Sequence, residues 1–139
     1  MANIKVGLTM SSGNVLSSPL AVSEVFTASV DSGSLIRAKV LGTAVDTNDM
    51  VVYLANDKND RAYLYIKNLE SELENYIHLR NETESDSAFA AKIGGGEFAF
   101  IPLAPDKTYA VHATKIDSMI EYGVFGDDNS AVIFGGSGS

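Results

Sequence analysis

The chain has 139 residues, 45% of them apolar, and 10 Lys and Arg against 18 Asp and Glu leave it at a formal charge of −8. One domain of this size buries roughly two-thirds of the surface its unfolded chain exposes, so it needs no disulfide or metal to fold. The absence of cysteine excludes thiolate metal sites and cysteine nucleophiles. The acidic balance, uninterrupted by any Lys/Arg cluster, argues against nucleic acid, whose binding rests on cations displacing counterions from phosphates.

In chain order, Met1–Met10 lacks a basic region followed by a long apolar core, so no secretory signal is expected. No run approaches the ~20 apolar residues that cross a bilayer, so no membrane is expected and synthesis in the cytosol is. Residues 1–22 are loosely patterned and read as an N-terminal arm, with a strand over Ile4–Thr9 inside it. A strand over Ser23–Ser29 opens the body, residues 23–134, and the turn-prone Asp31-Ser32-Gly33-Ser34 follows. Ile36, Ala38 and Val40 mark a strand, and Met50–Ala55 another.

After the turn Asn56–Asp60 the alternation is clearest. From Arg61 to Asn68, Ala62, Leu64 and Ile66 fall on one face and Tyr63, Tyr65 and Lys67 on the other. Leu69–Glu74 has two leucines at helical spacing but is too short for an independent helix. It reads as a loop extending a hairpin into Asn75–Asn81, where Ile77 and Leu79 point in and Tyr76, His78 and Arg80 out.

Gly94-Gly95-Gly96 is a turn or bulge with positive φ, since no lysine and no helix follows it as a phosphate loop requires. In Glu97–Ile101, Phe98 and Phe100 are expected to anchor the core, with Glu97 outward and Pro102 ending the ladder. Pro105 suits the second position of a type I turn before strands Tyr109–Ala113 and Ser118–Phe125, the latter with Ile120, Tyr122 and Val124 together. Residues 135–139 are a flexible Gly/Ser tail. About nine short strands at this spacing give an all-β fold: an antiparallel β-sandwich, jelly-roll-like, in a single domain.

Chemistry is sparse. His78 and His112 sit in strands, with no serine motif beside either, and read as ordinary strand histidines. Asp46, Asp49, Asp57, Asp60, Asp127 and Asp128 fall in turns; calcium takes such oxygens, but no calcium-loop spacing is present and turns favour aspartate anyway. Asn81-Glu82-Thr83 matches a glycosylation acceptor, by chance where no secretory signal precedes it. Neither a cofactor nor an enzymatic activity is expected. Tyr63, Tyr65 and Tyr76, outward on what read as neighbouring strands, are candidate interface residues or are covered by a second sheet.

The segments Ala62–Asn68, Asn75–Leu79, Ile93–Pro102 and Ile120–Phe125 together resemble small virion structural proteins of tailed bacteriophages. The likeness covers roughly the C-terminal half and rests mostly on core and turn residues. It implies a capsid decoration, or cement, protein. Such a protein would bind the major capsid protein on the outer head as a homotrimer, residing in the virion after assembly in the host cytoplasm. A neck, tail or fibre-associated adaptor is the alternative within that resemblance. A carbohydrate-binding jelly roll is the alternative outside it, weakened by the absence of tryptophan.

Overall fold

The structure, a computed structural model, describes residues 2–30, 32–42, 50–56, 59–81 and 91–127. These divide into two compact units that part after Val30.

The first unit is a β-hairpin. Strand β1 (Ala2–Ser12) runs antiparallel to β2 (Leu20–Val30) in unbroken register, from Ala2 opposite Val30 to Ser12 opposite Leu20. Alternation puts Ile4, Val6, Leu8 and Met10 on one face with Leu20, Val22, Glu24, Phe26, Ala28 and Val30, Glu24 opposite Leu8. Asn3, Lys5, Gly7, Thr9 and Ser11 share the other with Ala21, Ser23, Val25, Thr27 and Ser29. At the turn, the Ser12 hydroxyl oxygen accepts from the N–H groups of Asn14 and Val15. The strands expected at Ile4–Thr9 and Ser23–Ser29 are therefore partners. Residues 2–22, expected as an arm, comprise β1, the turn and the start of β2.

The second unit holds β3 (Ser32–Val40), β4 (Met50–Tyr53), β5 (Ala62–Asn68), β6 (Ile77–Asn81), β7 (Ala91–Ile93), β8 (Phe98–Leu103), β9 (Tyr109–Ala113) and β10 (Ser118–Gly126). One antiparallel sheet has the order β3-β10-β5-β8 and the other β4-β9-β6-β7. Every connection except β6–β7 passes from one sheet to the other. This double Greek key is a jelly roll.

Between the sheets lie Val40, Leu64, Ile66, Ile120 and Tyr122 from the first and Val52, Ile77, Leu79, Val111 and Ala113 from the second, all fully buried. The period-two reading of β5, β6 and β10 placed these inward residues correctly.

The structure overturns the reading of Phe98 and Phe100 as core anchors. Leu64 pairs with Ile101, Ile66 with Ala99 and Ala62 with Leu103, so the inward face of β8 is Ala99, Ile101 and Leu103. Phe98 and Phe100 stand opposite Lys67 and Tyr65 on the outer face. Pro102 lies within β8 rather than beyond it, opposite Tyr63, which an edge strand tolerates. The Leu69–Glu74 loop likewise joins no hairpin, because β5 and β6 belong to different sheets.

Asn68, fully buried at the end of β5, holds two loops together. Its Nδ2 donates to the carbonyls of Asn75 (2.7 Å) and Ile93 (3.0 Å), and its Oδ1 accepts from the N–H of Glu70 (3.0 Å). Its backbone is bonded to Glu97 and Gly96 across the glycine turn. Of the three glycines only Gly96 has positive φ, +85°.

Tyr122 contributes its ring to the core, but its hydroxyl has no hydrogen-bond partner among the described residues. Burial alone raises its pKa. A buried hydroxyl without a partner costs stability. Tyr122→Phe is accordingly expected to raise the unfolding free energy by about 1 kcal/mol, read as a higher urea midpoint at unchanged slope.

Candidate interaction surface

The outer face of the β3-β10-β5-β8 sheet follows from its register, since residues directly opposite point the same way. Along successive rows it presents Arg37, Glu121, Lys67 and Phe98, then Leu35, Gly123, Tyr65 and Phe100, then Gly33, Phe125, Tyr63 and Pro102. Tyr63 stacks on Phe100 with ring centroids 5.6 Å apart and planes 12° apart, and is only 3% exposed. The Phe125 ring lies over the sheet's glycines: a Cβ at Gly33 would sit 2.5 Å from it and one at Gly123 3.0 Å. Around these packed rings, Phe98 (65%), Leu35 (59%) and Met119 (40%) remain exposed.

Charge on this face runs against the rest of the chain. Arg37, Lys39 and Lys67 stand on it with Glu121 as the one acidic side chain among its described strand residues. Arg37 Nε lies 3.3 Å from Glu121 Oε2, and the Tyr65 hydroxyl donates to Glu121 Oε1 at 3.1 Å. Burial, then the bond to Glu121, raises the Tyr65 pKa.

Tyr63 and Tyr65 thus share this surface, whereas Tyr76 does not. It precedes β6 in the other sheet, where the Lys92 ammonium lies 4.1 Å above its ring. The reading that put all three on neighbouring strands assumed a β5–β6 hairpin that the topology lacks. The aromatic members missed were Phe98, Phe100 and Phe125, each assigned by alternation to a strand but not to this face.

On the second sheet's outer side, His112, His78 and Lys92 form a cross-strand row. The two imidazoles meet edge to face at 5.3 Å. Burial, then His112, then Lys92 lower the His78 pKa from 6.5. The fold favours neutral His78, while the unfolded chain takes up the proton near the ordinary value. Stability is therefore full above that value and declines as pH falls below it. Unfolding measured from about pH 7.5 to about pH 5.5 should show this loss, and His78→Asn should flatten it.

Among the acidic turn residues, Asp127 accepts from the Asp60 N–H at 2.9 Å, a backbone role. Asp46, Asp49, Asp57, Asp128, Glu82, Thr83 and the 135–139 tail lie outside the described residues. Among the described residues no group of three His, Cys, Asp or Glu is placed to hold a metal. No helix among them is long and apolar enough to cross a membrane. An open depression of about 510 Å³ lies beside β7 and β8, lined by Lys92, Ile93, Glu97 and Phe98 among others. No protein-family model matches the chain, and neither does any curated protein or solved structure.

Proposed function

We propose that the chain is a structural protein of a tailed-phage virion, most specifically a decoration protein that clamps the outer head. The observation that carries this reading is the aromatic, cation-bearing outer face of the β3-β10-β5-β8 sheet. Aromatic residues and arginine are enriched at protein interfaces, and an exposed apolar patch marks a docking site. An excess of cations on one face of a −8 chain favours an acidic partner surface. The likeness of the segments Ala62–Asn68, Asn75–Leu79, Ile93–Pro102 and Ile120–Phe125 to small virion proteins supplies the kind of partner, the major capsid protein. Homotrimers at local threefold positions are the arrangement that likeness implies. In this reading the chain stabilises the shell by binding its assembled form alone.

Cryo-electron microscopy of the virions assembled in cells that make this chain tests the reading. Jelly-roll density in trimers on the outer head is the expected result, and density at the neck or tail would replace decoration with an adaptor role. Virions without the chain would overturn both. Phe98→Ser adds a second readout. It should leave stability within about 0.5 kcal/mol of the parent, because the ring is exposed, yet weaken binding to particles stripped of the protein.

A further inference from the structure

Among the described residues one edge of β2 has no strand partner, although Ala28 and Val30 near its end are buried. A two-stranded ribbon is marginally stable alone in water and gains from a third strand or a cover. Natural sheets protect their edges with short strands, proline, bulges or lysine. β2 is 11 residues long, with Pro19 outside it, no bulge in its register and no lysine. It carries Val22, Val25, Phe26, Thr27 and Val30, which favour strands. β1, by contrast, carries Lys5 and Gly7. Among the described residues β2 pairs with β1 alone.

We propose that β2 pairs antiparallel with β2 of a second copy about a twofold axis at Val25, joining two hairpins into a four-stranded sheet. Self-pairing suits this strand in three ways. A register in which partners sum to fifty sets Val22 opposite Ala28 and Leu20 opposite Val30. The apolar face of one hairpin thereby continues into that of the other. The same register puts Glu24 opposite Phe26 rather than opposite its own copy, which lies diagonally across the pair. Residues 1–30 hold one lysine and one glutamate, so the net charge of −8 belongs wholly to residues 31–139. The hairpin is thus the segment through which two acidic copies meet with least repulsion.

This contact goes beyond the virion reading and does not depend on it, because it concerns the isolated chain. Sedimentation velocity of the full chain across about 1–100 µM, which detects micromolar association, should show reversible dimerisation. The chain has no cysteine, so one can be introduced cleanly. Val25→Cys places two thiols on directly opposed residues, within disulfide reach, and mild oxidation should give a covalent dimer. Thr9→Cys, on β1, leaves its thiols about 20 Å apart, three strand spacings across and four residues along, and should stay uncrosslinked. Val25→Lys, at a 62% exposed position, should weaken association about tenfold by opposing like charges while the β-sheet circular dichroism is kept. A chain monomeric throughout the range, an association untouched by Val25→Lys, or equal crosslinking at positions 25 and 9 would overturn the proposal. A virion location found or lost leaves these outcomes unchanged.

Discussion

Asn68→Ala should lower the unfolding free energy by roughly 3–5 kcal/mol, although it removes no apolar atom from the core. The asparagine satisfies the Asn75 and Ile93 carbonyls and the Glu70 N–H from a fully buried position. Truncation leaves those three groups without that partner, and a buried polar group so left costs about 1–3 kcal/mol. The loss should appear as a lower urea midpoint, followed by circular dichroism because the chain has no tryptophan. A change under about 1 kcal/mol would mean that solvent already reaches those groups.

Gly95→Ala should be nearly as damaging, for a steric reason. An added Cβ would lie 2.2 Å from the Glu72 carbonyl oxygen and 2.8 Å from that of Glu70. Both are backbone atoms of the loop tethered by Asn68, so neither can rotate away. Overpacking of this kind costs about 2–4 kcal/mol, or roughly 8–15 °C in midpoint for a domain of this size. Gly96→Ala is the informative contrast. Its Cβ would meet nothing, but its φ of +85° suits glycine, so about 1 kcal/mol is expected. Equal losses at the two positions would count against the close loop contact at Gly95.

Much of the fold is legible in local alternation because each core strand must present one apolar face to the other sheet. Ala62, Leu64 and Ile66 declare β5, and Tyr109–Ala113 has the bounds of β9. β7 was missed because Ala91-Lys92-Ile93 is too short to show a period. Phe98 and Phe100 were misplaced because a period of two separates two faces without saying which is inside. The cross-strand partners Leu64 and Ile66 decide that, and they lie more than thirty residues earlier in the chain. The candidate surface was only half legible for the same reason. Tyr63 and Tyr65 were visible as an outward pair, but Phe125, Phe100 and Leu35 join them only through a strand order that no local pattern encodes.

The position of β10 bears on how the protein is made. It lies between β3 and β5, paired to both, yet it is the last strand of the jelly roll to leave the ribosome. Until residues 118–126 emerge, β3 has no partner in its sheet and β5 keeps one bare side, so the nascent chain cannot close its core. Folding must wait for nearly the whole domain and then proceed through distant pairings, which places it among the slow, millisecond-to-second folders. In that interval the waiting strands are open to pairing between neighbouring nascent chains. The yield of soluble protein should therefore depend on translation rate and chaperone supply more than the stability of the finished domain would suggest.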